Sequence, residues 1–276
     1  MKNTKAAYAL LSISSLLMLS ALSSVSCATL SGGHEKKIVR GFSERDSIKI
    51  IRVRPPTDAF FKVDVLIESS PADCHAGSHI KFDCDKLIKI LPTLRQEGSG
   101  SGLLVATPYG PLVLTAAHVC TEDVPEIYTH RGVTISILTS TKIRLRSPLG
   151  KSTSGLIVKL DSDLDLCLLR PGKIYSDPVE IADKHPSLGD KVYAISAPYG
   201  ISDKNLALIF SGYYSGDSMG IHYYTIPTRP GSSGSAVLNE SWEVIGTLHA
   251  AFRRIESIGL GAGLNDIRLF ISGDLD

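Results

Sequence analysis

The chain has 276 residues, 43% of them hydrophobic and 21% charged, an ordinary globular composition with enough apolar residues for at least one buried core. Lysine and arginine number 29 against 28 aspartates and glutamates, so no long-range field favours nucleic acid or an anionic membrane. These numbers argue against nucleic-acid binding, and the length predicts one or two compact units.

The N-terminus has the pattern of an export signal. Lys2 and Lys5 precede an uncharged run, rich in leucine and alanine, that extends to about residue 25. Small side chains at Ser24 and Ser26 suit a signal peptidase; an uncleaved anchor is the alternative, because the run is about long enough to span a bilayer. We predict a signal over residues 1–27, removed on export.

Cys27 stands where a bacterial lipoprotein signal has its acylated cysteine. Ser24, three residues earlier, stands where that signal usually has an aliphatic side chain, so the match is partial. Lipidation at Cys27 and plain secretion, into the medium or the periplasm, therefore both stay open. Such an anchor is the predicted route to a membrane, and the sequence indicates no oligomeric state.

Export implies an oxidising compartment, in which cysteines other than Cys27 are expected to form disulfides. Four such cysteines permit three pairings, and the sequence does not choose among them. They are Cys74, Cys84, Cys120 and Cys167. Cys74 and Cys84 flank a polar loop, which makes a local disulfide the simplest prediction. His75 and His79 lie between them, but the spacing matches no standard zinc pattern, and neither a metal nor a cofactor is predicted.

Beyond a linker predicted over residues 28–45, short runs with the period-two alternation of half-buried strands follow one another. The first group comprises residues 61–68, 102–107, 112–115, 133–138, 142–146, 155–160 and 164–169. The second group comprises residues 191–197, 206–210, 221–226, 235–238, 244–249 and 257–263. Helix candidates are residues 85–94 and the tail from about Asn265. Many short strands and few helices predict an all-β sandwich or a pair of barrels.

Two segments carry a histidine and an acid in suitable settings for proton transfer. Residues 114–120 read LTAAHVC, and a histidine at a strand end behind small residues can take a proton near neutral pH. Residues 161–169 run from an acidic stretch into an apolar strand, where a carboxylate is costly to desolvate unless it is paired. Asp165 abuts the apolar run, so we predict it, rather than Asp161 or Asp163, as the partner of His118. Alone, each segment is more typical of a packed histidine or a solvated turn.

The third segment, residues 229–237, reads RPGSSGSAV. Gly231 and Gly234 allow a tight turn in which the N–H groups of Gly231 and Ser233 point at one place, where a tetrahedral oxyanion would form. Ser233 would be the attacking hydroxyl. A Gly/Ser-rich stretch is by default only a loop, but this one is short and bracketed by predicted strands.

Together these segments resemble the trypsin-like serine peptidases of chymotrypsin fold, in particular the bacterial branch with the HtrA-type proteases and the glutamyl endopeptidases. The resemblance spans residue 98 to about residue 271 and rests on GSGSGLLV at 98–105, TAAH at 115–118, DLCLL at 165–169, GDKVYAISAPYG at 189–200, PGSSGSAV at 230–237 and EVIG at 243–246. It implies a serine endopeptidase that acts on proteins or peptides with the triad His118, Asp165 and Ser233. Gly231 and Ser233 would form the oxyanion hole.

The same resemblance implies a fold of two six-stranded antiparallel β-barrels with a short C-terminal helix. We expect residues 46–97 to hold an N-terminal extension and the first strands, and residues 98–276 to form the peptidase double barrel. The first barrel would extend to about residue 172 and the second would start at about residue 188. His118 and Asp165 would then lie on the first barrel, and Ser233 on the second.

Comparison with two other groups of serine enzymes narrows the class of enzyme that the sequence predicts. The α/β-hydrolases run Ser, acid, His and carry GxSxG, whereas here the order is His, Asp, Ser and the residue two after Ser233 is Ser235. Animal trypsin-like zymogens need an Asp before the nucleophile, to pair with a new N-terminal Ile. That residue is Ser232 here, so the resemblance of Ile38-Val39 to an activation site is taken as coincidence.

Substrate preference is indicated by two further residues. Thr228 matches a position in the S1 pocket of glutamyl endopeptidases, whose pocket histidine aligns with Leu248. His249 is the neighbour and would face the other way on a strand unless the alignment shifts by one residue. We predict Thr228 and His249 as substrate-binding residues, for an acidic or amide P1 side chain. The competing class is a protease-fold binding or scaffold protein on the cell exterior that has lost turnover.

Overall fold

A computed structural model describes residues 36–38, 50–77, 82–121, 127–253 and 255–275. The predicted signal over residues 1–27, with Cys27, lies outside these ranges, as do Val39, His79 and most of the predicted linker. Within the described ranges, no helix is long and apolar enough to cross a membrane. Strands β1 (Lys36–Ile38) and β2 (Ile50–Arg52) pair with each other, so that β1 falls inside the predicted linker.

The first large sheet closes into a six-stranded antiparallel barrel. Its strands are β3 (Phe60–Ala76), β4 (Leu94–Val105), β5 (Leu112–Thr115), β6 (Ile127–His130), β7 (Val133–Ser147), β8 (Lys151–Asp161) and β9 (Leu166–Pro171). The barrel closes because β3 pairs with both β4 and β7, while β6 adds a seventh strand at the free edge of β7. Along β3, Val63, Val65 and Ile67 are buried and alternate with half-buried residues, as the period-two pattern predicted.

The second large sheet curls into a half-barrel. Its strands are β10 (Lys191–Ser196), β11 (Leu208–Ser218), β12 (Ile221–Tyr224), β13 (Ser235–Leu238), β14 (Val244–Leu248), β15 (Ala250–Phe252) and β16 (Ile255–Gly261). They follow the order β14-β13-β10-β11-β12-β16-β15, and one bridge between Gly246 and Gly263 joins β14 to the chain just beyond β16. The predicted all-β pair of barrels is thus confirmed, with the second barrel curled rather than fully closed.

Three α-helices and one 3₁₀ turn complete the described chain. They are α1 (Cys84–Ile90), α2 (Ala117–Cys120), the 3₁₀ turn Pro198–Gly200 and α3 (Leu264–Ser272). The predicted C-terminal helix is α3, whose N-terminus is capped by an Asp266 carboxylate that accepts the Gly263 N–H. Its apolar side chains Leu264, Ile267, Phe270 and Ile271 are buried. Helix α2 was not predicted, because four residues carry no helical period.

Two disulfides tie the first barrel. Cys74 of β3 pairs with Cys84 of α1, as predicted, and Cys120 of α2 pairs with Cys167 of β9. Both sulfurs of the second bridge belong to fully buried residues. Two disulfides are typical of a protein from an oxidising compartment.

The second disulfide should contribute more to stability than the first, because it closes the longer loop. The separation is 47 residues for Cys120 and Cys167. It is 10 residues for Cys74 and Cys84. Loop-closure entropy predicts a loss of about 4 kcal/mol in unfolding free energy when Cys120 and Cys167 become alanine, and of about 3 kcal/mol when Cys74 and Cys84 do.

Urea unfolding followed by the fluorescence of Trp242, the single tryptophan, measures both losses. The Trp242 ring packs 4.7 Å from that of Tyr193, so its emission should report the folded second sheet. A larger loss for the Cys74–Cys84 pair would contradict the loop-length argument.

Candidate active site

His118 lies on the short helix α2, directly after β5. Ala116 and Ala117 are buried and too small to crowd the imidazole, which is half exposed, at 49%. Strand β5 pairs with β9, with Thr115 opposite Cys167, and the buried disulfide joins α2 to the same strand. The chain around His118 is therefore fixed against the residues that precede β9.

Asp165 precedes β9 in a turn with a left-handed backbone, at φ 51°. The Asp161 carboxylate shapes this turn, because its Oδ1 accepts the N–H groups of Asp163 at 3.0 Å and Leu164 at 2.9 Å. Aspartate is among the few non-glycine residues that tolerate such a backbone. Asp161 thus has a structural contact that explains its presence, and Asp165 faces α2.

The Asp165 carboxylate holds His118 at two points. Its Oδ1 accepts the His118 backbone N–H at 2.9 Å, and its oxygens lie 2.8 Å and 3.0 Å from the ring Nδ1. A carboxylate can only accept, so Nδ1 carries the hydrogen and Nε2 is left as the acceptor. Burial alone would raise the pKa of the Asp165 carboxyl, but the hydrogen bonds from His118 outweigh burial and lower the pKa below its ordinary value.

The loop around Ser233 is built on two glycines with positive φ. Gly231 has φ 91°, and a Cβ there would lie 2.5 Å from the Ala197 carbonyl oxygen. Gly234 has φ 83°, and its Cβ would lie 2.1 Å from Thr115 Oγ1. Both positions therefore require glycine, on grounds of backbone conformation and of space.

Two carbonyls of the loop around Ser233 accept backbone hydrogen bonds. Tyr199 N–H donates to the Pro230 carbonyl at 2.6 Å, and Ser235 N–H donates to the Ser232 carbonyl at 3.1 Å. Since C=O and N–H of a trans peptide point in opposite directions, the N–H groups of Gly231 and Ser233 point away from these donors. Among the described residues, neither of these two groups has a protein acceptor.

The hydroxyls of two buried serines form hydrogen bonds to the same loop. Ser101 Oγ donates to the Gly231 carbonyl at 2.8 Å and accepts the Ala197 N–H at 2.9 Å. Ser196 Oγ donates to Ser232 Oγ at 2.9 Å. Ser101 belongs to the GSGS motif at 98–101, but these contacts could not be predicted from the sequence because each links residues far apart in the chain.

The segments that carry Ser233 and His118 meet at Gly100. A Cβ on Gly100 would touch both Val119, next to His118, and the Ser233 carbonyl oxygen. Ser233 Oγ donates to the His249 carbonyl at 3.1 Å. In the described part of the chain, no hydrogen bond joins Ser233 Oγ to the His118 ring.

The two predicted substrate-binding residues are not in contact with each other. Thr228 is buried and its hydroxyl donates to the Ile226 carbonyl at 3.1 Å. The His249 ring lies instead beside Asp165, with Nδ1 3.5 Å from Oδ2, and its Nε2 is 2.6 Å from Thr247 Oγ1. Substrate binding by Thr228 and His249, and the P1 preference drawn from them, stay predictions.

A closed barrel together with a curled half-barrel is the architecture of serine proteases of chymotrypsin-like fold. The family model of the trypsin-like peptidase domain matches residues 100–246, and the chain belongs to that family. No curated protein matches the sequence.

Two solved structures are similar to this chain at low sequence identity. The serine endoprotease from Yersinia pestis is 19% identical, with a TM-score of 0.49, and the match covers 74% of this chain but only 60% of that one. Rv3671c from M. tuberculosis H37Rv, solved as an inactive serine-to-alanine mutant, is 12% identical with a TM-score of 0.50. That match covers 80% of this chain and 90% of that one.

The His249 ring should make folding stability depend on pH. Burial lowers the pKa of His249 from the ordinary 6.5 to about 4. Between these values the unfolded chain binds a proton that the folded chain does not, so stability falls as the pH drops from 6.5 to 4. The two pKa values correspond to about 3 kcal/mol for this group.

Urea unfolding at a series of pH values measures this slope. His249→Phe should flatten the slope between pH 6.5 and 4, because no imidazole remains to titrate. The contribution of Asp165, whose pKa is lowered, should remain, since it is lost only at more acidic pH. An unchanged slope in the variant would contradict a buried, neutral His249.

Proposed function

We propose that this protein is a serine endopeptidase in which Ser233 is the nucleophile, His118 the general base and Asp165 the acid that orients the base. The observation that carries the proposal is the pair of contacts from Asp165 to His118, which leaves an unprotonated Nε2 on the side of the ring away from the acid. The N–H groups of Gly231 and Ser233 support it, since neither has a protein acceptor among the described residues and both could donate to an oxyanion.

The reaction begins when Ser233 Oγ leaves the His249 carbonyl by side-chain rotation and donates to His118 Nε2. As Nε2 takes the proton, Oγ bonds to the substrate carbonyl carbon and the C=O π electrons move to the oxygen. The N–H groups of Gly231 and Ser233 stabilise that oxyanion. His118 then returns the proton to the leaving amine nitrogen as the C–N bond breaks, and water hydrolyses the acyl-enzyme by the same steps.

The substrates proposed are proteins or peptides outside the cytoplasm. Family membership supports a peptide-bond substrate, and the two disulfides support an oxidising compartment. We propose export through the signal at residues 1–27.

Ser233→Ala should abolish both peptide hydrolysis and labelling by a fluorophosphonate, because no hydroxyl remains to attack. Ser235→Ala is the matched control: Ser235 lies two residues away and is fully buried, and its hydroxyl has no partner among the described residues. Its removal should leave stability unchanged or slightly raised. Casein or peptide-library digestion measures the activity.

Full activity in Ser233→Ala would overturn the proposal. A folded parent protein that neither digests the library nor reacts with the fluorophosphonate would instead favour the binding or scaffold alternative.

Three single variants test the choice of acid. Asp165→Asn should lower kcat by about 10⁴-fold, because an amide can donate to Nδ1 and so leave the wrong ring nitrogen protonated toward Ser233. Asp163→Asn should behave nearly like the parent, since that side chain is exposed. Asp161→Asn keeps one acceptor oxygen for the turn and should also be mild. A crippled Asp163→Asn beside an active Asp165→Asn would mean that the triad has been assigned wrongly.

A further inference from the structure

The Asp165 carboxylate has a histidine on each side. His118 binds it from α2, and His249, at the end of β14, approaches the same Oδ2 with its Nδ1 at 3.5 Å. The His249 side chain is 11% exposed and that of Asp165 is 27% exposed. The distance therefore joins two largely desolvated groups, where an orienting interaction is stronger than in water.

The neighbours of His249 select one tautomer of its ring. If Nδ1 lacked a hydrogen, its lone pair would face the Asp165 carboxylate, which is unfavourable. The ring therefore carries its hydrogen on Nδ1, and Nε2 is left to accept the hydrogen of the Thr247 hydroxyl, 2.6 Å away. Thr247 is fully buried, so this hydroxyl has no water to choose instead.

We propose that His249 is a positioning residue for the catalytic acid: its neutral ring, pinned by Thr247, directs Nδ1–H at Asp165 Oδ2 and holds the carboxylate in place for His118. The inference rests on the proposed function and adds a fourth and a fifth residue to the triad. Thr247 acts through His249, and His249 acts through Asp165. Neither is predicted to touch the scissile bond.

The neutrality of the ring suits this role. When Ser233 attacks, His118 becomes an imidazolium, and a second positive charge beside Asp165 would compete with it for the same carboxylate. The charged and titratable groups around His249 are Asp165, His118 and Asp266, and burial outweighs their effect to keep its pKa at about 4. At neutral pH His249 can thus orient the acid without opposing the charge on His118.

The backbone of His249 meets the nucleophile as well. Its carbonyl accepts the Ser233 hydroxyl at 3.1 Å, and its N–H donates to the Leu260 carbonyl on β16 at 2.7 Å. One residue of the second sheet therefore contacts both the resting nucleophile and the acid carried by the first barrel.

Kinetics of three variants test the proposal. His249→Phe keeps a ring but removes the donor, and we expect kcat to fall about tenfold while KM stays within about twofold. His249→Asn places an amide N–H near the position of Nδ1, and we expect most of the lost kcat to return. A packing role would give the opposite order, since asparagine fills less of the site than phenylalanine.

Thr247→Val should lower kcat by a smaller factor and should not add to His249→Phe, because the hydroxyl acts through the ring. Equal kcat in the parent and His249→Phe, or fully multiplicative effects of the two changes, would overturn the positioning role.

Nitrogen-15 NMR of the histidine rings in the full chain tests the contact without relying on turnover. We expect the Nδ1–H tautomer for His249 at neutral pH and a clear shift of its ring signals in Asp165→Asn. Signals of the Nε2–H tautomer, or signals indifferent to Asp165→Asn, would overturn the inference even in an active enzyme. If the His249 ring signals shift in Asp165→Asn but the parent protein hydrolyses no peptide, the proposed function is wrong and the pairing of His249 with Asp165 still stands.

Discussion

A single buried serine on the first barrel is hydrogen-bonded to the loop around Ser233, which belongs to the second sheet. Ser101, on β4 of the first barrel, donates its backbone N–H to the Ser233 carbonyl and its hydroxyl to the Gly231 carbonyl. The same hydroxyl accepts the N–H of Ala197, just beyond β10. Ser101 is fully buried, so loss of its hydroxyl would leave the Gly231 carbonyl and the Ala197 N–H unsatisfied, at a cost of about 1–3 kcal/mol each. The loop around Ser233 in one sheet is therefore fixed to a strand of the other.

The acid side of the site depends on a balance between burial and hydrogen bonding. Removing the Asp165 carboxylate from water disfavours its charge, and the two donors of His118 more than compensate. That compensation requires α2 and the turn before β9 to keep their relative positions, so that both donors of His118 reach the carboxylate. The β5–β9 pairing, the Cys120–Cys167 disulfide and the Asp161 turn all act on those few residues. These contacts hold His118 and Asp165 in the relative positions that the proposed triad requires.

The sequence predicts the bounds of a strand well where a short, mostly apolar run begins directly after a glycine or a proline, even when both of its faces are buried. Residues 112–115 and 235–238 coincide with β5 and β13, and α3 begins one residue before its predicted start. Strand β7 was predicted as two runs because its middle, Thr139 to Thr141, is polar and carries no alternation. In this stretch Thr139 and Ser140 are exposed and Thr141 is half-buried, so burial does not alternate along the strand either.

Patterns among neighbouring residues do not predict the contacts that complete the site, because those contacts join segments far apart in the chain. The Cys74–Cys84 bridge follows from nearness in sequence, whereas Cys120–Cys167 follows from the pairing of β5 with β9. Likewise, the alternation of β14 indicates that His249 and Leu248 face opposite ways, but not that His249 would meet an acid from the other barrel. Whether a sheet closes or curls depends on strand tilt and stagger, which the pattern of apolar residues does not specify.

Ser232 shows how the loop before the nucleophile is held without a charge. Its hydroxyl accepts from Ser196 Oγ at 2.9 Å and from the Arg229 N–H at 3.3 Å, and both serines are 1% exposed. An aspartate here would need a buried cation, since an unpaired buried carboxylate is strongly destabilising. A hydroxyl costs far less to bury and finds its partners in the same fold. The loop therefore holds its shape through neutral hydrogen bonds, without a buried ion pair.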